Sequence, residues 1–297
     1  MTQEATPAAA GGRLLIIGAG GFLGGHVRRQ AAAAGSAVVT AGRSAMPGSP
    51  AHVRLDLAAD CPGSIAEVIA SVAPDAVVNC AGAVAGTLEV LAAANVIGTC
   101  ALVRAMRLAG TRARLVHLGS AAEYGPAGPA TMYGATKLIG TRLVMQARAT
   151  GVDSVVLRVF NPVGAGAPAS SLPGRAAAEV RRALAAGGWV RLGSLEPVRD
   201  FVDARDVADA VLAAAAVPAV PGPVLDIGSG RRVPARALVS ELVAISGYTG
   251  PLHEDGPGPA GPPVRQADIA AAQAGLGWQP HRTLAASAAD LWEGSHA

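Results

Sequence analysis

Tyr133 and Lys137 stand four residues apart in Tyr133-Gly-Ala-Thr-Lys137, a spacing that puts both side chains on one face of a helix. An ammonium one turn from a phenol favours the phenolate. It lowers a pKa that is about 10 in a free side chain and makes the phenol a usable proton donor near neutrality. Ser120 follows the aliphatic run Arg114–Leu118, and its hydroxyl is of the type that orients and polarises a carbonyl. The three residues supply a general acid, its tuner and an oxygen-binding donor. Lys137 is also the single lysine among 24 basic residues, the others all being arginine. A lysine is a compact point charge that a planar guanidinium does not replace. Tyr-x-x-x-Lys alone equally describes an exposed surface pair. The serine after a strand and the turn described next argue for catalysis.

That turn, Gly18-Ala-Gly20-Gly21-Phe22-Leu23-Gly24, lies between the apolar run Leu14–Ile17 and a helical stretch. Because position 23 is leucine, the glycine spacing is GxxGxxG at Gly18, Gly21 and Gly24. Absent side chains let the backbone turn tightly and approach a pyrophosphate at the helix N-terminus. The second strand ends in Ala41-Gly42-Arg43-Ser44 without a carboxylate. An acidic residue there would bind the ribose 2′-hydroxyl of NAD, whereas an arginine suits a 2′-phosphate. NADP(H) is therefore expected at Arg43 and Ser44. NAD(H) is the alternative, with Arg43 a solvated loop residue. Asp56, in Arg54-Leu55-Asp56-Leu57, is placed either to contact the adenine or to act as an acid at a helix start.

Strands are expected at Leu14–Ile17, Ala37–Thr40, His52–Leu55, Ala76–Cys80, Arg114–Leu118 and Ser154–Val159, with helices at Leu23–Ala34, Ser64–Ala73, Thr87–Leu108 and Met132–Thr150. The strand runs are solidly apolar, as in a parallel sheet covered on both faces. The fold class is thus α/β, a doubly wound Rossmann-type parallel sheet. Beyond Phe160, Gly and Pro become frequent, and helices are expected near Arg175–Ala186, Arg205–Val217 and Pro234–Ser246. Residues 13–160 read as the dinucleotide-binding core and 161–297 as mainly a small substrate-binding lobe, with some segments returning to the core. Residues 1–12 read as a loose tail and Gly256–Pro263 as a mobile loop.

The chain has 297 residues, 51% of them hydrophobic, an excess that is mostly alanine. The longest apolar candidate for a membrane span, Val211–Leu225, contains Pro218, Pro221 and Pro223, so none is expected. The N-terminus lacks the basic start of a secretory signal. Cys61, Cys80 and Cys100 form no CxxC pair, which points to a reducing cytoplasm. A net charge of +3, scattered basic residues and 3% aromatics give no nucleic-acid signature. The six histidines show no metal-ligand spacing.

With these motifs in order, the chain resembles the extended short-chain dehydrogenase/reductase family, in its branch of NAD(P)-dependent nucleotide-sugar epimerases, dehydratases and reductases. The likeness runs from Arg13 to the C-terminus. It includes Asn95-Val-Ile-Gly98-Thr99, Gly119-Ser120-Ala-Ala-Glu-Tyr124-Gly125, Arg158-Val-Phe-Asn161-Pro-Val-Gly164, Arg199-Asp200-Phe201-Val202-Asp203, Leu225-Asp-Ile-Gly228-Ser229-Gly230 and Leu276-Gly277-Trp278-Gln-Pro280. The resemblance implies cofactor contacts at Phe22, Leu23, Leu57, Ala81 and Val163 beside the glycines, Tyr133 and Lys137. It gives Asn95 a supporting role, Asn161 an approach to substrate, Arg199 a grip on the substrate diphosphate and Arg265 a second phosphate contact. It also implies a homodimer formed through the helices that hold Asn95 and Tyr133. For Arg199, a salt bridge to Asp200, Asp203 or Asp206 is the competing reading.

Two departures from the family pattern narrow the activity. Dehydratases carry Asp and Glu after the catalytic hydroxyl residue, where this chain has Ala121 and Ala122, so the acid and base for water elimination are missing. An epimerase recycles a tightly held NAD and gains nothing from NADPH, so Arg43 points to net reduction. The expected activity is NADPH-dependent reduction of a nucleotide-diphospho-4-keto-6-deoxysugar, with an NAD-dependent 4-epimerase as the alternative. The short connector Pro126–Thr131 admits a third reading, reduction of a non-sugar natural-product ketone. A cofactor-sensing regulator without chemistry would have no use for Tyr133 and Lys137.

Overall fold

A computed structural model describes residues 12–46, 51–125, 128–256 and 265–294. The expected N-terminal tail and nearly all of the loop Gly256–Pro263 lie outside the described residues, as does the start of the Pro126–Thr131 connector.

Short aliphatic runs alternate with alanine-rich helices: β1 (Arg13–Ile17), α1 (Phe22–Ala33), β2 (Ala37–Gly42), β3 (His52–Arg54), α2 (Pro62–Val72) and β4 (Ala76–Asn79). A continuous helical segment follows, made of α3 (Leu88–Ala92), a π-helical turn (Ala93–Ile97) and α4 (Gly98–Leu108). Next come β5 (Arg114–Ser120), a 3₁₀ turn (Ala121–Glu123), α5 (Met132–Ala149), β6 (Ser154–Val159) and β7 (Pro162–Val163). The remainder is α6 (Leu172–Ala186), β8 (Val190–Leu192), β9 (Val198–Arg199), β10 (Val202–Asp203), α7 (Ala204–Ala216), β11 (Val224–Ile227), β12 (Val233–Pro234), α8 (Ala235–Ser246), β13 (Leu252–Glu254), α9 (Ala270–Leu276) and α10 (Leu284–Glu293).

Seven strands form one sheet in the order β11-β6-β5-β4-β1-β2-β3, every pair parallel. Leu14 and Ile16 point into a core shared with Val27 of α1 and Val207 and Val211 of α7. Leu15 and Ile17 point the other way, toward Ile69 of α2, Leu102 and Met106 of α4 and Val144 of α5. Both faces are dry, so the strand shows no apolar–polar alternation. The fold is the expected Rossmann-type sheet. Its order reverses between β1 and β4, and such a reversal opens a crevice beyond the strands' carboxyl ends. Register aligns those ends: Ile17 lies beside Ala41 and Asn79, and Ser120 beside Val159.

The segment Leu88–Leu108 is long and apolar enough to cross a membrane by length and composition alone, contrary to the expectation that no segment is. Glu89, Gly98, Arg104 and Arg107 interrupt its apolar run, which hid it from a search for unbroken stretches. Here it lies along the sheet, with Leu91, Leu102, Ala105 and Met106 buried. The π turn adds a residue to the helical repeat and brings Asn95 to a buried position.

Residues 161–297 divide between two places. Strand β11 joins the main sheet beside β6, and α7 and Trp278 complete its α1 face. Helices α6, α8 and α10 with β8 enclose a separate core around Leu195, Phe201, Leu242 and Leu291.

Candidate active site

At the mouth of the crevice, Gly18 closes the first turn with φ +80°, and its N–H donates to Ala41 O at 2.9 Å. A Cβ on Gly18 would lie 2.7 Å from Ala81 N, and one on Gly24 only 2.2 Å from Gly18 O. The glycines therefore permit contacts that no side chain allows. Gly21 caps α1 without a side-chain acceptor, and the first turn of α1 has no acidic residue. The amides at Phe22, Leu23 and Gly24 thus begin a helix whose positive end has no side-chain counter-charge, which fits a pyrophosphate. Arg43 and Ser44 are exposed just past β2, and Arg43 has no ion pair among the described residues. Asp56 Oδ1 accepts from Ala58 N at 3.0 Å, so one carboxylate oxygen is engaged in its own turn. Leu57 is buried at Gly98, where a Cβ would come within 3.0 Å of its own Cβ, and serves packing. Val163 departs from its expected role as a cofactor contact. It is 0% exposed in the separate C-terminal core, so it offers a ligand no surface.

Behind the turn, a cavity of about 100 Å³ is lined by Leu23, Cys80, Ala81, Asn95, Tyr133 and Lys137. Ser120 ends β5 beside it, and its Oγ accepts from Ala122 N at 3.2 Å, leaving the hydroxyl proton available to donate. That hydroxyl interacts with the Tyr133 phenol. Tyr133 sits in the first turn of α5, which Thr131 caps through Gly134 N at 3.0 Å. A Cβ on Gly134 would lie 2.1 Å from Ala122 O, so glycine lets α5 press onto the 3₁₀ turn. Asn95 holds the loop after β4 against α5: Oδ1 accepts from Ala83 N at 3.0 Å, and Nδ2 donates to Ala83 O at 2.9 Å and Thr136 Oγ1 at 3.1 Å.

The electrostatics differ from the sequence expectation in one respect. The Tyr133 phenol is held above its ordinary pKa, chiefly by burial, with Ser120 pulling it down and the Glu123 carboxylate pushing it up. The expected lowering by Lys137 is not met, since the phenol lies above its ordinary value, and Lys137 Nζ donates to Leu118 O at 2.5 Å. Burial lowers Lys137 itself to about 8, partly offset by Glu123 and Cys80. Burial raises the Cys80 thiol to about 12. At neutral pH the site therefore holds a protonated phenol, a charged ammonium and a neutral thiol.

On the substrate side, Asn161 Nδ2 donates to Asp200 O at 2.9 Å. Arg199 is half-buried and bonds to Val198 O at 2.7 Å, and burial lowers its pKa. The carboxylates expected to compete for it are engaged elsewhere: Asp200 with Ser229, Gly230 and Ala267, Asp203 with Arg205 and Ser287, and Asp206 with Arg282. Among the described residues Arg199 has no carboxylate partner. Arg265 lies with its guanidinium 4.0 Å from the centre of the Tyr124 ring.

Sequence reasoning missed one group. Glu123 Oε1 accepts from Ser120 N at 2.7 Å, and its Oε2 pairs with Arg158. The legible signal was the capping-box spacing Ser120-x-x-Glu123, which marks a reciprocal side-chain bond at a turn.

A Rossmann-type sheet with a glycine turn over a Ser–Tyr–Lys set is the architecture of the extended short-chain dehydrogenases/reductases. Residues 14–228 match the model of the NAD-dependent epimerase/dehydratase family, and the chain belongs to that family. Over 200 residues it is 43% identical to dTDP-6-deoxy-L-talose 4-dehydrogenase (NAD(P)(+)) of Kitasatospora kifunensis, a stretch covering 61% of this chain and 62% of that relative. The chain thus matches less than two-thirds of that relative's length. The structure of MoeE5 in complex with UDP-glucuronic acid and NAD is similar with a TM-score of 0.82 and 26% identity, covering 95% of this chain and 98% of that one. RMD from Pseudomonas aeruginosa complexed with NADPH shares the fold with a TM-score of 0.82 and 24% identity, covering the same shares.

The depressed Lys137 pKa has a stability signature. Between pH 8 and 10 the unfolded chain binds a proton that the folded chain has released, so Lys137 makes stability rise with pH over that window. Lys137→Met removes this rise, while the phenols and thiols are common to both proteins. Urea unfolding across the window should show wild type gaining on the variant, by at most about 3 kcal/mol. A constant difference between them would contradict the buried ammonium.

Proposed function

We propose that this protein is an NADP(H)-dependent oxidoreductase acting at C4 of a nucleotide-diphospho-6-deoxyhexose, with reduction of the 4-keto sugar as its working direction. The observation that carries this reading is that Tyr133 and Lys137 line the cavity behind the glycine turn while the Ser120 hydroxyl beside it bonds with the Tyr133 phenol. When bound along that turn, the nicotinamide cofactor supplies the hydride. Ser120 donates a hydrogen bond to the substrate carbonyl oxygen and polarises it. Tyr133, kept protonated by burial, gives its proton to the same oxygen as it becomes an alkoxide. Lys137 places its positive charge beneath the site while anchored on Leu118 O. Fixing the carbonyl against these donors supplies much of the rate.

Arg199, half-buried and without a carboxylate partner among the described residues, suits a diphosphate. A nucleotide sugar fits it better than a plain ketone does. The dTDP-sugar dehydrogenase relative supports the same substrate class and favours the reverse, oxidising direction as the second reading. Arg43 is the basis for preferring NADP(H), since an exposed guanidinium with no ion pair among the described residues is available to a 2′-phosphate. Free Cys61, Cys80 and Cys100 are consistent with a cytoplasmic location. Exposed Val90 and Ile97 on the Leu88–Leu108 helix and Ile139 on neighbouring α5 present apolar surface suited to a second copy.

The decisive assay offers dTDP-6-deoxy-L-talose with NADP⁺, and its 4-keto counterpart with NADPH, to the wild type and to Tyr133→Phe. Turnover by the wild type and a loss of at least 100-fold in kcat for the variant are expected from removal of the acid. Turnover that survives the substitution would overturn the assignment. Arg43→Glu should weaken NADPH binding by about 10- to 100-fold, as loss of a charged hydrogen bond implies, with NADH changed far less. An equal loss for both cofactors in a titration would remove the preference. Light scattering should give twice the chain mass for the wild type and the single-chain mass for Ile97→Asp. A monomeric wild type would exclude the dimer.

A further inference from the structure

Ser120 is reached from below by a buried polar chain outside the Ser–Tyr–Lys set. Glu123 is 4% exposed, and its two oxygens do different work. Oε1 accepts from the backbone N–H of Ser120 at 2.7 Å. Oε2 accepts two bonds from the Arg158 guanidinium, at 3.0 Å from Nε and 2.9 Å from Nη2. Arg158 on β6 continues the chain: Nη1 donates to the Tyr124 hydroxyl at 2.7 Å, and that hydroxyl donates to Asp226 Oδ1 of β11 at 2.8 Å. The Tyr124 ring is flanked by two guanidiniums, Arg158 at 4.3 Å and Arg265 at 4.0 Å from its centre.

Two features make this more than a turn cap. A carboxylate this deeply buried is costly unless paired, and the two Arg158 bonds on Oε2 with the Ser120 amide on Oε1 hold both of its oxygens. Gly119 leaves the space it fills, since a Cβ there would lie 2.7 Å from Glu123 Oε1 and 2.8 Å from Val156 Cγ1. The last residues of β5 are thus shaped around the carboxylate.

We infer that Glu123, clamped by Arg158, is a positioning residue that fixes Ser120 for the carbonyl it polarises. The inference rests on the oxidoreductase reading above. Glu123 is buried and does not line the cavity, and it acts by holding the Ser120 amide. With that amide held, Oγ keeps its bond from Ala122 N and its contact with the Tyr133 phenol. The same carboxylate pushes up the pKa values of both Tyr133 and Lys137. Its negative charge therefore reaches the whole set.

Two double variants with the same net charge separate holding from charge. Glu123→Gln with Arg158→Met keeps an acceptor for the Ser120 amide, and Glu123→Leu with Arg158→Met does not. Hydrogen exchange at Ser120 N–H, which needs no substrate, should be at least tenfold faster in the Leu pair. With NADPH and the 4-keto sugar, kcat should be at least tenfold lower in the Leu pair than in the Gln pair. KM and the NADPH dissociation constant should agree within about twofold. Equal exchange in the two pairs, or equal kcat, would overturn the inference. If the Leu pair does not fold, Arg158→Lys, which keeps the charge but not the fork, should lower kcat at least threefold with KM held, and an unchanged kcat would overturn it. Absence of turnover in the wild type itself would instead sink the oxidoreductase reading, while the exchange measurement still reports on the clamp.

Discussion

The bond from Lys137 Nζ to the carbonyl of Leu118 ties α5 to the end of β5, and the geometry of the Ser120, Tyr133 and Lys137 set follows from it. It carries a cation into a cavity lined by Leu23, Cys80, Ala81, Asn95 and Tyr133, where burial opposes its charge and the Glu123 carboxylate favours it. Such a charge is tolerable only with a partner of fixed direction, and a backbone carbonyl at a strand end is one. The bond sets the depth of α5, which sets Tyr133 one turn away and brings it against Ser120. Burial then keeps the phenol protonated. In this chain the ammonium therefore acts as an anchor and a background field more than as a direct acidifier of the phenol.

Close approach of backbones is the second requirement, and small residues meet it. Gly24 sits on Gly18 O, Gly134 on Ala122 O and Gly140 on Asn95 O, each where a Cβ would fall inside 3 Å. These contacts join α1 to the cofactor turn, α5 to the serine turn, and α5 to the π-helical turn. The alanine and glycine enrichment is structural at these points, since thin helices let four elements converge on one cavity.

Much of this was legible in sequence. The unbroken aliphatic runs announced a doubly covered parallel sheet. Tyr133 and Lys137 line one cavity with Ser120 beside it, and the glycines at 18, 21 and 24 form the turn from β1 into α1. What could not be read was direction. Whether Lys137 faces the phenol or the Leu118 carbonyl depends on where β5 ends relative to α5, a tertiary fact. Val163 went astray for a similar reason: its motif position was clear, but whether it faces the crevice or the C-terminal core depends on how β7 pairs with β10. The freedom of Arg199 was also invisible, because it depends on nearby carboxylates being taken by other partners.

The solitary lysine gives the molecule an unusual chemical asymmetry. Twenty-three guanidiniums do not react with mild acylating reagents, so the only aliphatic side-chain amine in the chain lies at the heart of the cavity. With its pKa near 8, that amine is partly in its nucleophilic form at neutral pH. A single site among the side-chain amines is thereby built into the composition, and peptide mapping that separates Lys137 from the N-terminal amine and the exposed thiols of Cys61 and Cys100 reads whether that site is covered.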